Sequence, residues 1–220
     1  MSGPRVDAIV LAGGASTRMG SDKALIELDG VPLLTRVVEA VCGVAQVKRV
    51  LIVGRTSLPG LGTAPPGRLR QPTVEIECLA DEVPDLGPLG GVASGLECVR
   101  SEYALVLACD TPWPQNRLLS ALIERAPGND AVVPYWDKKP QVLCAVYARS
   151  LLPLIRTLLA EGSGSLRSLL DQIPGLRAMD QDEVSRFDPS GVSFVNLNTR
   201  EDLAQVERRI ASSRSAASTP

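Results

Sequence analysis

Residues 7–23 read DAIVLAGGASTRMGSDK, an apolar segment followed at once by a glycine-rich loop that ends in lysine. The four apolar residues after the aspartate are typical of a buried strand in a parallel sheet. Gly13 and Gly14 allow bare backbone to approach a ligand, and their N–H groups can face anionic oxygens. With the cations Arg18 and Lys23, the loop predicts triphosphate binding. A loop of this kind can also do no more than turn a strand into a helix.

Two well-known phosphate loops do not fit this segment. The P-loop pattern G-x-x-x-x-G-K-[ST] needs four residues between its glycines. Here five residues separate Gly14 from Gly20, and Lys23 comes three positions later. The dinucleotide pattern G-x-G-x-x-G is broken by Gly13-Gly14-Ala15. The segment therefore predicts a phosphate loop of another kind.

The composition excludes several classes of function. The chain has 220 residues, enough for one domain with a full core. Its formal net charge of −2 gives no overall attraction to nucleic acid. Two Phe, two Trp and three Tyr are too few for a platform on which bases stack. Histidine is absent, which excludes His-based triads, His metal sites and His general bases.

The cysteines are scattered, mostly among apolar residues, and contain no C-x-x-C pair: Cys42, Cys78, Cys98, Cys109 and Cys144. This pattern favours reduced core thiols in a cytoplasmic protein. Cys109 precedes a candidate site residue, but its apolar neighbours indicate strand packing rather than a nucleophile. The sequence has no signal-peptide pattern and no apolar run near the ~18 residues of a membrane span, so we expect no membrane association.

Apolar runs alternate with segments of helical period along the chain. The predicted strands are 8–11, 49–53, 74–79, 103–108, 131–134 and 142–147. The predicted helices are 32–42, 89–99, 114–125, 150–159, 165–171 and 200–210. Strands separated by helices imply right-handed βαβ units. We therefore predict an α/β fold of three layers with a mainly parallel sheet and Rossmann-like βαβ units. We place it in one domain, residues 1–210, followed by a disordered tail at 211–220.

Polar residues cluster after the predicted strands, where ligands of open α/β sheets bind. Asp110 ends a buried strand and is placed to hold Mg²⁺; alternatively, it caps the following helix. Asp81 follows another strand and is either a ligand contact or an exposed loop acid. Asn196 and Asn198 follow a strand expected at 193–195, and they either orient ligands or serve as turn residues.

The segment Gly87-Pro88-Leu89-Gly90-Gly91 is a second glycine-rich loop. It opens a predicted helix, and free amides at a helix N-terminus are able to bind an anion. A third such segment, 162–167, reads GSGSLR and opens a short predicted helix.

Four segments resemble the signatures of the molybdenum cofactor guanylyltransferases, in the order found in that family. They are LAGGxSxRMGxDK at 11–23, GPLGG at 87–91, CDTP at 109–112 and NLNT at 196–199. The resemblance extends from residue 7 to about residue 205, and the first segment is typical of nucleotidyltransferases. It therefore implies the nucleotidyltransferase fold.

The resemblance also implies roles for individual residues. Its nucleotide and cofactor contacts correspond to Leu11, Ala12, Gly13, Gly14, Lys23, Asp81, Asp110 and Asn198. Its catalytic residues correspond to Arg18, Lys23 and Asp110, with Mg²⁺ (or Mn²⁺) on Asp110.

Two positions depart from the family pattern. The segment 50–55 reads VLIVGR and lacks an Asn that the family often has there. The segment 138–141 reads KKPQ where a histidine is common.

The implied reaction is transfer of GMP from GTP to the terminal phosphate of molybdopterin. Gly13 favours the guanylyl branch, because cytidylyl relatives tend to have Ala at this position. The alternatives are a cytidylyl or sugar-1-phosphate transferase of the same fold, and a non-catalytic chaperone that binds nucleotide and cofactor. The implied partners are the two substrates and, transiently, proteins that deliver molybdopterin or receive its product. The candidate cations for the acceptor are Lys138, Lys139, Arg149 and Arg167.

Overall fold

The structure, a computed structural model, describes residues 4–13, 22–56, 74–80, 86–197 and 202. The strands in these residues are β1 (Val6–Leu11), β2 (Glu27–Leu28), β3 (Val31–Pro32), β4 (Val47–Val53), β5 (Glu75–Leu79), β6 (Tyr103–Ala108), β7 (Ala131–Trp136), β8 (Lys139–Pro140), β9 (Cys144–Ala148) and β10 (Leu176–Met179). The α-helices are α1 (Leu33–Cys42), α2 (Gly87–Cys98), α3 (Asn116–Glu124), α4 (Leu152–Ala160), α5 (Leu166–Leu170) and α6 (Gln181–Ser185).

The main sheet has the strand order β10-β7-β9-β6-β1-β4-β5, and β8 pairs with β7 outside this path. Strand β1 is central and pairs in parallel with β4 on one side and β6 on the other. Strand β9 is antiparallel to both of its neighbours, β6 and β7. The predicted mainly parallel sheet is confirmed. The direction of β9 was not predicted, because an apolar run does not reveal the direction of its strand.

The sheet is covered on both faces, as its apolar strands require. Val6, Ala8 and Val10 of β1 pack in the core cluster that contains α1 and α3. Ile9, between them in sequence, packs in the cluster that contains α2, α4 and α5. This alternation follows from the two-residue period of a strand and confirms the predicted three layers.

The sheet contains a topological switch point at β1. The chain moves from β1 outward through β4 and β5, and then returns to the other side of β1 as β6. At such a point the loops after two adjacent parallel strands diverge and leave a crevice at their carboxyl ends. This crevice lies beyond Leu11 and Ala108, which are register partners.

Some predicted elements differ from the structure. The strand expected at 193–195 is wrong: Val192–Phe194 forms a 3₁₀ turn, which begins after Gly191 in the left-handed region with φ of 64°. Strand β10 and helix α6 were not predicted, because both are short and largely exposed and have no long apolar period. The helix predicted at 200–210 (apart from Asp202), the domain limit at 210 and the tail at 211–220 lie outside the described residues. Among the described residues, no helix has the length and apolar character needed to cross a membrane.

Candidate active site

Lys23 and Asp110 meet at the crevice between β1 and β6. Lys23 Nζ donates a hydrogen bond to Asp110 Oδ2 at 3.4 Å. Both side chains are about three-quarters buried, with exposed fractions of 25% and 21%. The structure therefore brings together the two charged residues that the sequence analysis identified from segments far apart in the chain.

The turn that follows β6 holds Asp110 towards the crevice. Thr111 is buried, and its hydroxyl donates to the Ala108 carbonyl at 3.0 Å. The Asp110 carbonyl accepts from the Leu197 N–H at 2.9 Å. Helix α3 begins later, with Gln115 at its N-cap, so Asp110 does not cap it. The structure therefore leaves the Asp110 carboxylate available for a ligand rather than for helix capping.

The first residues of the glycine loop are held against β4. The Ala12 N–H donates to the Val53 carbonyl at 2.9 Å, and the Leu11 carbonyl accepts from the Cys109 N–H at 3.0 Å. Gly54 has φ of 91°, and a Cβ at this position would lie 2.5 Å from the N and Cα atoms of Gly13. Only glycine fits at Gly54, because both its backbone conformation and this close approach exclude a side chain.

A 3₁₀ turn at Lys23–Leu25 carries the site lysine. Asp22 caps this turn, since its Oδ1 accepts from the Ala24 N–H at 3.1 Å. The other carboxylate oxygen, Oδ2, accepts from Arg55 Nη2. Arg55 was not predicted as a site residue, although a Gly-Arg pair directly after a buried strand is a signal that could have identified it.

Helix α2 starts at the same edge of the sheet, and the predicted helix opening at Gly87 is confirmed. Its first turn packs against the 162–165 loop: the Leu89 N–H donates to the Gly164 carbonyl at 3.4 Å. A Cβ on Gly164 would lie 2.8 Å from the Leu86 carbonyl oxygen. The Leu89 amide, near the N-terminus of α2, is therefore already hydrogen-bonded within the protein. The 87–91 and 162–165 segments pack against each other beside the crevice.

The cationic residues predicted to bind the acceptor substrate do not all lie at the same end of the strands. Lys138, in the β7–β8 turn, and Lys139, the first residue of β8, are exposed at the carboxyl end of β7, which runs parallel to β6. Arg149 follows the antiparallel strand β9, and its N–H donates to the carbonyl of Glu102, which precedes β6. Six residues of β6, roughly 20 Å, separate it from Asp110. This position, which follows from the unforeseen direction of β9, does not support the role predicted for Arg149.

The late segment that carries the asparagines is anchored by a buried carboxylate. Asp188 is 1% exposed, and its oxygens accept from the N–H groups of Val192 and Ser193 at 3.2 and 2.8 Å. The Ser193 hydroxyl accepts from the Gln115 N–H at 2.9 Å. These bonds direct the chain to Leu197, whose N–H reaches Asp110. The sequence contains no local signal for this role of Asp188, because its partners follow in an irregular turn.

Cys109 lies beside the site but does not have the properties of a nucleophile. It is buried in the core, and burial, with a smaller contribution from the Asp110 carboxylate, raises its pKa to about 12. The thiol is therefore protonated at neutral pH, and a protonated thiol is a poor nucleophile. The prediction of a packing role is consistent with this environment.

Four of the predicted site residues lie outside the described residues: Gly14, Arg18, Asp81 and Asn198. Asn196 is described and exposed, and it adjoins Leu197 at the Asp110 turn. The predicted roles of all five remain predictions.

Comparison with known proteins identifies the family. The profile of the MobA-like NTP transferase domain matches residues 8–178. The chain belongs to the MobA-like NTP transferase family. The matched range contains Leu11, Lys23, Arg55 and Asp110, so the crevice described above lies within the family domain.

Relatives within this family match most of the chain. A protein of Methanosarcina mazei named "Probable molybdenum cofactor guanylyltransferase" is 35% identical over 198 residues, 89% of this chain and 87% of its own length. A protein of Desulfosudis oleivorans named "Molybdenum cofactor guanylyltransferase" is 32% identical and covers 95% of this chain and 98% of its own length. The resemblance inferred from four short segments is therefore confirmed.

Solved structures share the fold. The molybdopterin-guanine dinucleotide biosynthesis protein A of Archaeoglobus fulgidus superimposes with a TM-score of 0.74 at 23% identity, covering 94% of this chain and all of that chain. The 4-diphosphocytidyl-2C-methyl-D-erythritol synthase of Anaerococcus prevotii gives a TM-score of 0.68 at 16% identity, with coverage of 94% and 96%. The predicted fold class is confirmed.

The donor set at the crevice fits Mg²⁺ bound partly by substrate. Within the described ranges no group of three or more His, Cys, Asp or Glu side chains could enclose a metal ion. Asp110 is a carboxylate at the mouth of the crevice. Magnesium is commonly held by one or two carboxylates together with substrate phosphates, so a single aspartate suffices.

Proposed function

We propose that this MobA-like protein transfers GMP from GTP to the terminal phosphate of molybdopterin. The products are molybdopterin guanine dinucleotide and pyrophosphate. The observation that supports this most directly is the Lys23–Asp110 pair at the switch point between β1 and β6, directly beyond the glycine loop. The guanylyltransferase relatives at 32–35% identity support the choice of substrates.

The reaction needs no protein nucleophile. An oxygen of the acceptor phosphate forms a bond to the α-phosphorus of GTP, and the bond from that phosphorus to the α,β-bridging oxygen breaks. The electron pair leaves with pyrophosphate. The acceptor phosphate is ionised at neutral pH, so no side chain has to remove a proton. Catalysis then consists of positioning and of neutralising charge.

Each charged residue has a separate role in this proposal. Lys23, joined by Arg18, neutralises the triphosphate and the departing pyrophosphate. Asp110 holds Mg²⁺, which supplies positive charge to phosphate oxygens when it is bound. The backbone of Leu11, Ala12 and Gly13 lies against the nucleotide, and Gly14, Asp81 and Asn198 add further contacts.

The acceptor occupies the side of the crevice formed by the second half of the chain. Arg167 follows the 162–165 loop that packs on the start of α2, and its side chain is exposed. Lys138 and Lys139 are exposed at the same edge of the sheet. These cations are suited to the phosphate or dithiolate of molybdopterin. The protein acts in the cytoplasm, where it meets proteins that deliver molybdopterin or receive the product; its five free cysteines suit a reducing compartment.

A pyrophosphate-release assay tests the proposal. The purified protein is given GTP, CTP or ATP with Mg²⁺, in the presence and absence of molybdopterin. We expect release that requires molybdopterin, with GTP giving the highest kcat/KM. A preference for CTP would indicate a cytidylyltransferase of the same fold. Binding of GTP and molybdopterin without release would indicate a chaperone.

A further inference from the structure

Arg55 is a partly buried cation beside the glycine loop to which the proposed function gives no role. The N–H groups of Gly54 and Arg55 both donate to the Leu79 carbonyl, at 2.9 and 3.1 Å, which fixes this backbone to the end of β5. The Arg55 side chain is only 14% exposed. A guanidinium at this depth requires a partner, and the partner is Asp22.

Asp22 divides its two oxygens between two tasks. Oδ1 accepts from the Ala24 N–H and so caps the 3₁₀ turn that carries Lys23. Oδ2 accepts from Arg55 Nη2. The ion pair therefore joins the rigid end of β4 to the turn that presents the site lysine. A carboxylate held at both oxygens has a defined orientation, and so does the turn that it caps.

The charges along this path alternate in sign: Arg55, Asp22, Lys23 and Asp110. Without Arg55, the half-exposed Asp22 would place an uncompensated negative charge next to the residue that faces the triphosphate. That charge would repel the nucleotide and would attract the Lys23 ammonium away from it. Arg55 removes both effects by pairing with Asp22.

We propose that Arg55 is a positioning residue: through Asp22, it fixes the Lys23 turn and neutralises the carboxylate beside the triphosphate site. This inference rests on the proposed function only in naming the triphosphate as the ligand of Lys23. Its rival is direct contact of Arg55 with the nucleotide, since Arg55 Nε is buried without a hydrogen-bond partner in the described part of the chain.

A double-mutant cycle distinguishes the two roles. The variants are Arg55→Gln, Asp22→Asn and the double variant. Asn still caps helical turns well, so Asp22→Asn removes the charge and retains the capping oxygen. Arg55→Lys keeps the positive charge but replaces the planar guanidinium, which has several donors, by a single ammonium group. Arg156→Gln is the matched control, because Arg156 pairs with Glu97 on the surface between α4 and α2, at 2.7 Å.

We expect Arg55→Gln to raise the KM for GTP about tenfold, the size expected for coupled neighbouring charges, and to leave the KM for molybdopterin unchanged. Arg55→Lys should restore most of the loss. The double variant should be no worse than Arg55→Gln alone, because both changes remove the same link. If Arg55→Gln weakens GTP binding equally in the Asp22→Asn background, Arg55 contacts the nucleotide itself and the proposal is overturned.

Hydrogen exchange tests the structural part without any substrate. The amides of Leu25 and Ile26 donate within the turn, at 3.0 and 3.2 Å. Arg55→Gln should accelerate exchange in the peptide that covers 22–28 and leave the peptide that covers β6 unchanged. Unchanged exchange at 22–28 contradicts the proposal. Since this measurement needs no GTP, it remains decisive even if the pyrophosphate assay rejects the proposed reaction.

Discussion

The proposed function gives two different roles to Lys23 and Asp110, which contact each other in the crevice. Lys23 and Asp110 are 3.4 Å apart, so each partly satisfies the charge of the other before any ligand arrives. A triphosphate with Mg²⁺ brings a new partner for each. In the proposed reaction the pair acts as a preorganised receptor for one anion and one cation, and we therefore expect both to bind cooperatively.

Asp110→Asn should abolish metal-dependent transfer without affecting folding. The change removes one unit of negative charge from the only acid at the end of β6, and loss of such an electrostatic contact costs on the order of 10²-fold in rate. The measurement is kcat as a function of Mg²⁺ concentration, together with a thermal melt. The control is Asp182→Asn, a surface carboxylate on α6. Near-normal activity of Asp110→Asn in Mg²⁺ would show that another group holds the metal.

The residues at the site differed in how far the sequence revealed them. Lys23 and Asp110 each sit in a short local pattern, a glycine loop or the end of an apolar run, and both were identified. Arg55 and Asp188 act through partners in other segments, so no window of sequence contains their contacts. Local patterns therefore predicted the two residues that meet in the crevice better than the residues that hold them in place.

At the scale of elements, the packing of α2 against β1 depends on glycine residues of the helix. Two of its glycines face β1: a Cβ on Gly91 would lie 3.1 Å from Leu11, and one on Gly95 would lie 2.7–2.9 Å from three side-chain atoms of Ile9. Glycine at these two positions therefore leaves room for the Leu11 and Ile9 side chains against the helix. The first half of α2 is thereby packed against Leu11, the last residue of β1.

Gly95→Ala should destabilise the protein by about 1–2 kcal/mol. Overpacking a buried contact costs roughly 1–3 kcal/mol, and the higher helix propensity of Ala returns up to about 1 kcal/mol. The measurement is urea denaturation. Ser94→Ala, at the next position on the same helix, serves as the control and should change the free energy of unfolding by no more than about 0.5 kcal/mol. Equal or greater stability of Gly95→Ala would mean that Ile9 can move aside at little cost.

Because β9 is antiparallel to β6, Arg149 and Arg167 lie at opposite ends of the strands, and this difference allows a controlled test of molybdopterin binding. Arg167→Ala should raise the KM for molybdopterin about tenfold, as expected for loss of a charge-assisted contact, and leave GTP affinity unchanged. Arg149→Ala is the matched control, since Arg149 lies at the opposite edge of the sheet and should have no effect on either. Loss of GTP affinity in Arg167→Ala would place this residue on the nucleotide side. No effect would make it an ordinary surface arginine.

The prediction of elements succeeded where an element was long and strongly apolar, as in β1, β4, β6 and α1. It failed at 192–194, a short segment that forms a 3₁₀ turn in which the consecutive residues Ser193 and Phe194 are both buried. The direction of β9 depends on the length and path of a connection rather than on composition. For this reason the edge on which Arg149 lies could not be predicted.

At the scale of the whole molecule, the core contains ionisable groups in their neutral form. Burial raises the pKa of both Cys109 and Cys144 to about 12, with smaller contributions from Asp110 and Asp188 respectively. An unfolded chain ionises these thiols from about pH 9, whereas the folded chain keeps them protonated. Stability from the neutral thiols is therefore complete below pH 9 and is lost as the pH rises towards 12.

Cys109→Ala should make the free energy of unfolding less dependent on pH between 9 and 12. Each buried thiol contributes a slope of at most about 1.4 kcal/mol per pH unit in this range. Urea denaturation at several pH values measures the slope, and Cys98→Ala is the control because Cys98 is exposed. An identical slope in Cys109→Ala and the wild-type protein would show that Cys109 ionises as easily in the fold as in the unfolded chain.

The hydrogen bond from Leu197 to Asp110 has a consequence for synthesis. A ribosome produces β1, β4, β5 and β6 early, and this half of the sheet can pair while translation continues. The turn that holds Asp110 gains its last backbone partner only when residues 188–197 have emerged and packed on Trp136 and α3. During synthesis, the strands that border the crevice therefore form before the turn that carries Asp110 is complete. We expect unfinished chains to be inert towards GTP, because the turn that carries Asp110 is not yet complete.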